Sequence, residues 1–302
     1  MPQVLSRRVL TQVAMYEYRK SLKSSVSDEL INTMLIRPIA GIVVRILYRT
    51  PVTPNQVTIA STVAGLVAAL VFLQDGPTAT ASAGLLVTVK DILDSADGQL
   101  ARARQMYSRL GRFLDSIGDF VVNAAVFAAM GWLLWNKAGN IRPAILAFAG
   151  LLGITLRVSY HVFYQTSFLH RQESYQTNRV TEEVRDEDVK GERTTLVLQR
   201  IFQAIYGWQD RLVVGIDRWC RRELREEDLE MWFVNKPALR LSGFLGMGTE
   251  LFLVTLFSVA NRLEIYLYFN LCVMNSLLAV NIFYRKFVLA GSIRRGVRDS
   301  KP

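Results

Sequence analysis

Histidine and cysteine are nearly missing from this chain. Its 302 residues include two histidines, His161 and His170, and two cysteines, Cys220 and Cys272. The cysteines are far apart and show neither metal-ligand spacing nor a disulfide framework, and two histidines make a zinc site improbable. Both thiols are expected to be inert. No sequence repeat stands out. No cleavable signal peptide is visible either. The N-terminus is basic at Arg7, Arg8, Arg19, Lys20 and Lys23, and no sustained charge-free apolar run begins before residue 50. Targeting is therefore expected from the first membrane helix itself. Charge is also scarce over long stretches, although the chain as a whole carries a formal net charge of +10. With 51% hydrophobic residues and a mean hydropathy of +0.20, the basic residues gather between and beyond apolar runs. A nucleic-acid binder spreads its basic residues through a polar chain, so the expected partner is a lipid bilayer and not nucleic acid.

The apolar runs predict an all-α polytopic membrane protein with six transmembrane helices. Residues 1–50 read as a cytosolic arm and an amphipathic juxtamembrane helix. In SDELINTMLIRPIAGIVVRILYR (27–49), Ile31, Leu35, Ile39, Ile42, Val43 and Ile46 recur at helical spacing. Ser27 is the expected N-cap, and Pro38 is expected to kink or divide this helix. Residues 51–168 hold spans one to four, with Thr53 or Asn55 starting the first after Pro51 and Pro54. The first runs over 55–73, close to the length a bilayer needs. The second covers 79–105 and turns charged from Lys90 on, and RQMYSRLGR (104–112) reads as a basic turn. The third begins near Leu110, and Pro143 suits the first turn of a fourth that ends near Phe168. Residues 169–236 form a cytosolic insertion. Its TEEVRDEDVKGERT part is loop-like, and Leu198, Ile201, Ile205, Trp208, Leu212, Val213 and Ile216 mark an amphipathic helix. That helix is expected to rest on the membrane surface or on the basic N-terminal arm. Residues 237–290 hold spans five and six, and 291–302 form a basic cytosolic tail. Lys and Arg concentrate at both termini, in the 103–112 turn and in the insertion, so the positive-inside rule places both termini in the cytoplasm.

Between spans two and three lies DSADGQLARARQMYSRLGRFLDSIGDF. Asp94 and Asp97 are spaced i,i+3 and Asp115 and Asp119 i,i+4, so each pair shares a helix face. A hairpin turn brings the pairs face to face at the cytoplasmic end. Four carboxylates without a nearby histidine or cysteine make a hard-oxygen site suited to Mg²⁺, Mn²⁺ or Ca²⁺. They carry enough charge for two divalent ions, a standard arrangement for phosphoryl transfer. Gly98 and Ala101 leave a groove one turn on, Gly111 does so on the opposite helix, and Arg102 offers a forked cation to phosphate oxygens.

The pattern Asp94-x-x-Asp97-Gly98-x-x-Ala101-Arg102, eight residues, Gly111-x-x-x-Asp115-x-x-x-Asp119 resembles without departure the signature of the CDP-alcohol phosphotransferases (CDP-alcohol phosphatidyltransferases). These are membrane enzymes of phospholipid synthesis. TPNQVT and the six-helix layout extend the likeness over roughly 30–168 and 237–290, while the insertion is longer than the family leads one to expect. The resemblance implies that Asp94, Asp97, Asp115 and Asp119 ligate two divalent cations, Mg²⁺ or Mn²⁺. It implies that Gly98, Ala101, Arg102 and Gly111 hold the CDP moiety, and that Asp119 is the general base. The acceptor alkoxide would attack the phosphorus distal to cytidine, and CMP would leave. It further implies a CDP-linked donor, foremost CDP-diacylglycerol, a polar alcohol acceptor, and a homodimer.

Arg157, alone in the apolar stretch GLLGITLRVSYHVFY, and Asp91, beside the motif, are candidates for acceptor binding. Lys90 is expected to snorkel or to balance charge, and Glu250 is a weaker candidate. The insertion and its YGWQDRLV segment are similar to archaeal and bacterial enzymes that join CDP-inositol to inositol phosphate, which gives an alternative substrate class. A divalent-cation transporter is a remote alternative, because transport needs acids near the membrane midplane.

Overall fold

The computed structural model describes Tyr18, Glu29, residues 31–171, Val184 and residues 192–299. Ser27, the arm over 1–26 apart from Tyr18, and most of TEEVRDEDVKGERT lie outside the described residues. Helices and short turns make up the described chain, as the hydropathy pattern predicts. A π-helical turn, Asn32–Ile36, runs without a break into α1 (Arg37–Leu47). Pro38 therefore marks a change of hydrogen-bonding pattern in a continuous helix. One face of α1 is buried through Ala40, Gly41 and Val44, and the other exposes Met34, Leu35, Ile39, Ile42 and Ile46. An exposed apolar face with arginines beside it suits a helix lying in a membrane surface.

Helix α2 (Pro54–Phe72) starts at Thr53, whose hydroxyl accepts from the Gln56 N–H while Gln56 Oε1 accepts from the Thr53 N–H. That capping box and Pro54 in the first turn fix its start. Helix α3 (Pro77–Arg104) carries the first acid pair and α4 (Arg109–Ala138) the second. Helix α5 (Arg142–Arg171) outruns the expected end at Phe168 by three residues. Helix α6 (Arg193–Cys220) comes from the insertion. Short helices α7 (Leu229–Phe233) and α8 (Lys236–Gly243) lead to α9 (Met247–Val259). The expected fifth span is thus broken between α8 and α9. The break lies at Phe244–Gly246, where the Glu29 carboxylate accepts from the Gly248 N–H at 2.8 Å and covers the start of α9. The last rod is α10 (Leu263–Tyr268), α11 (Asn275–Phe283) and α12 (Ala290–Asp299), joined by π-helical turns. The basic tail is therefore helical as far as Asp299.

Among the described residues five helical segments are long and apolar enough to cross a membrane: 54–72, 109–138, 142–171, 236–259 and 263–295. The sixth expected span, α3, has ample length at 28 residues, about 42 Å, but its last turns hold the charges that lower its hydropathy. It packs between α2 and α9. Close approach is set by small residues: a Cβ on Gly118 would lie 2.5 Å from Thr62 Oγ1, so the Thr62 side chain of α2 rests on the bare backbone of α4. The main core joins Phe72, Val87, Val126, Phe127, Met130 and Tyr266 from these helices.

Candidate functional site

The site is built on the α3–α4 hairpin. Gln105 ends α3 in the left-handed conformation (φ 56°), and the Met106 N–H bonds back to the Ala101 carbonyl at 2.9 Å. Three residues on, Ser108 Oγ accepts from the Gly111 N–H at 2.9 Å and starts α4. The connection is thus four exposed residues, 105–108, shorter than the turn read from 104–112. Arg104 does not face the site. Its guanidinium donates to the carbonyls of Leu47, Tyr48, Thr50 and Val52, which fastens α3 to the end of α1.

This tight hairpin sets carboxylates from both helices together. One oxygen each of Asp94, Asp97 and Asp115 lies within 4.8 Å of the others. Asp115 Oδ1 is buried and accepts no hydrogen bond, and Asp97 Oδ2 accepts from Thr58 Oγ1 at 2.5 Å. A buried carboxylate oxygen without a donor is expensive unless a cation neutralises it. Three converging oxygen donors and that orphaned atom fit a hard divalent ion. Asp119 stands outside the group of three. It accepts from Lys90 Nζ, which also lies 3.3 Å from Asp94. The Lys90 side chain is 3% exposed. It therefore does not snorkel; it is the buried counter-charge of the cluster, held where Ser61 Oγ bonds its carbonyl at 2.9 Å.

A pocket of about 420 Å³ opens beside Asp97 and Asp115. Gly98, Ala101, Arg102 and Gly111 all line it, as do Thr58 and Asn55 of α2. The glycines have separate uses. A Cβ on Gly98 would sit 3.3 Å from the Arg102 guanidinium, so the bare backbone lets Arg102 fold back along α3. A Cβ on Gly111 would sit 2.6 Å from Asn55 Oδ1, so the gap read as open admits the Asn55 side chain. Helix α5 closes the far wall with Val162, Gln165, Thr166 and Leu169.

The insertion helix flanks the cluster. Tyr206 donates its hydroxyl to the Ser116 carbonyl at 2.9 Å, and its ring meets Phe120 edge-on at 6.2 Å. Phe202 lies 5.5 Å from Phe113. Burial, with the Asp119 and Asp115 charges nearby, pushes the Tyr206 phenol well above its usual range. Helix α6 thus packs on α4 and α5. Sequence reasoning missed Thr58 and Tyr206, and the only local signal for Thr58 was its place in TPNQVT.

The two expected acceptor residues are elsewhere. Arg157 is fully buried and away from the pocket lining. Its Nη2 donates to Glu250 Oε2 at 2.8 Å and its Nη1 to Asn275 Oδ1 at 2.6 Å. Glu250 Oε1 also accepts from Tyr266 at 2.8 Å and from Asn270. The lone intramembrane arginine was read as open to a ligand because its partner, Glu250, lies 93 residues away. Asp91 is buried and does not line the pocket, since Lys90 beside it takes the direction of the cluster.

Residues 51–211 match the profile of the CDP-alcohol phosphatidyltransferase family. The chain is 32% identical over 155 residues to the "Bifunctional IPC transferase and DIPP synthase" of Thermococcus kodakarensis, covering 51% of this chain and 32% of that protein. It is 35% identical over 116 residues to the "Phosphatidylinositol phosphate synthase" of Mycobacteroides abscessus, covering 38% of this chain and 51% of that protein. Likeness to the Archaeoglobus fulgidus "Bifunctional IPC transferase and DIPP synthase" is 37% over 109 residues, which is 36% of this chain and 20% of that protein. The chain thus spans about half or less of the length of these relatives.

Proposed function

The chain belongs to the CDP-alcohol phosphatidyltransferase family, and from that premise we propose that the α3–α4 hairpin transfers a phosphatidyl or phosphoalcohol group from a CDP-linked donor to an alcohol hydroxyl, releasing CMP. The observation that carries this reading is the carboxylate trio of Asp94, Asp97 and Asp115 at the edge of a pocket lined by Gly98, Ala101, Arg102 and Gly111. CDP-diacylglycerol is the proposed donor and a small polar alcohol or alcohol phosphate the acceptor. A second reading, a donor of the CDP-inositol kind, is favoured by the likeness to the bifunctional IPC transferase and DIPP synthase of Thermococcus kodakarensis.

In this mechanism Asp94, Asp97 and Asp115, with Asp119, would hold Mg²⁺ or Mn²⁺, which would supply positive charge to the pyrophosphate oxygens during an in-line displacement. Arg102 binds phosphate oxygens bidentately, and Gly98 and Gly111 let the nucleotide approach backbone. Asp119 takes the proton from the acceptor hydroxyl. The acceptor oxygen bonds the phosphorus distal to cytidine, and the bond from that phosphorus to CMP breaks. Lys90, bonded to Asp119, orients that carboxylate. The pocket faces the cytoplasm, where nucleotide and metal are available, and the enzyme works as a homodimer. Both termini are cytoplasmic. Residues 1–50, 51–168, 169–236, 237–290 and 291–302 serve as arm with surface helix, catalytic spans, insertion, distal spans and tail.

The test is CMP release by purified protein given Mg²⁺ or Mn²⁺. CDP-diacylglycerol and CDP-inositol serve as donors against glycerol phosphate, inositol phosphate, inositol, serine and diacylglycerol. CMP from at least one pair is expected, and Asp119→Asn is expected to stop turnover while nucleotide still binds. No CMP from any pair defeats the proposal.

A further inference from the structure

Helix α6 has a second surface that its contacts with the bundle leave uncovered. Its inner side runs across three neighbours: Tyr206 on Ser116 of α4, Gln209 on Ser159 of α5 at 2.8 Å, and Trp219, whose carbonyl accepts from Lys286 of the last rod at 3.1 Å. A helix that touches three membrane-spanning elements in turn lies across them, along the rim of the bundle. On its outer side Val197, Ile201, Trp208, Leu212 and Trp219 are each 41–54% exposed. Their spacings of four and seven residues keep them in one stripe. Beside it runs a row of arginines, Arg193, Arg200, Arg211 and Arg218, seven, eleven and seven residues apart, which returns each to the same azimuth. All four are exposed, and none makes a hydrogen bond or ion pair among the described residues.

We propose that α6 is an in-plane membrane helix whose outer stripe is seated in acyl chains and whose arginine row binds the phosphates of an anionic phospholipid leaflet. Two observations select this occupant. The stripe is continuous with the lipid-facing surface of the spans it crosses, where Val121 of α4, Val162 of α5 and Phe283 and Phe287 of the last rod are likewise exposed. The charge is also complementary: an apolar stripe edged by uncompensated arginines matches hydrocarbon edged by phosphate. Trp208 and Trp219 then sit at the headgroup level, where indole rings partition. Trp132 and Trp135 mark the opposite end of α4 in the same way.

The experiment needs no substrate. The full chain is placed in phosphatidylcholine bilayers with and without phosphatidylglycerol, carrying a quencher high on the acyl chain. The contributions of Trp208 and Trp219 are read as differences from W208F and W219F. Both tryptophans are expected to be quenched by the lipid label and shielded from aqueous iodide. Phosphatidylglycerol is expected to be enriched around the protein, and this enrichment is expected to fall severalfold in the combined R193Q, R200Q, R211Q and R218Q variant. The exposed positions leave the fold intact, which the unchanged Trp132 and Trp135 signals verify. Quenching of both tryptophans by iodide and not by the lipid label overturns the proposal. So does a chain that is dimeric in detergent and becomes monomeric on W208A and W219A substitution, because a second copy would then cover the stripe.

Discussion

The acid hairpin and the Arg157–Glu250 pair are both buried charge inside an apolar bundle, yet they differ in balance and in access. At Arg157 one cation meets one carboxylate, with amide and phenol groups of Tyr266, Asn270 and Asn275 around them, although Arg157 Nε and Asn270 Oδ1 have no partner among the described residues. None of these residues lines the pocket at the hairpin. At the hairpin four carboxylates face the single ammonium of Lys90, and a pocket opens alongside. An intramembrane charge therefore marks a binding site when its net charge is uncompensated and a ligand can reach it. A closed, self-paired charge holds helices together.

The largest expected effect breaks the open cluster. Asp115→Asn should lower metal-dependent CMP release by more than about a hundredfold, since losing even an outer partner of a metal ligand costs about ten- to a hundredfold. Thermal stability should hold or rise, because a like charge is removed. Next comes the closed pair. Glu250→Gln strands the fully buried Arg157 and should cost about 3–5 kcal/mol, read as a lower unfolding midpoint in detergent. Replacing both partners, Arg157→Leu with Glu250→Leu, should recover most of that loss. A double variant as unstable as the single one would show that the pair does more than balance itself. Thr58→Val comes third. It takes away the hydrogen bond to Asp97 and should weaken apparent metal affinity by about tenfold with little change in stability. The smallest effect is expected at the solvent-facing pair of Asp75 and Lys137, 2.6 Å apart. Lys137→Ala should leave both the unfolding midpoint and CMP release unchanged.

The same contrast explains what the sequence could tell. The hairpin was legible because its information is local: acids at i,i+3 and i,i+4, small residues one turn away, and apolar runs on both sides. Five of the six expected spans were legible from hydropathy, while the charges of α3 lower its own apolar signal. Partners distant in sequence were not legible. Thr58 reaches Asp97 across 39 residues and Arg157 reaches Glu250 across 93, and nothing in either segment announces the other. Whether Lys90 snorkels or balances charge stayed open in the sequence, because an amphipathic side chain near a helix end often snorkels, whereas here Asp119 of the opposing helix draws it inward. The partner of helix α6 stayed open for another reason. Its apolar residues form two stripes, one inward through Ile205 and Val213 and one outward through Ile201 and Trp208, and a single list of them cannot say which is covered.

The most direct test of this distinction is equilibrium binding of Mn²⁺ to the purified chain, followed by electron paramagnetic resonance, in the wild type, Asp115→Asn and Glu250→Gln. The wild type is predicted to bind Mn²⁺, Asp115→Asn to lose that binding, and Glu250→Gln to keep it wherever the variant remains folded. A wild type that binds no Mn²⁺, or binding that survives Asp115→Asn and disappears with Glu250→Gln, would contradict the assignment of the open cluster as the metal site.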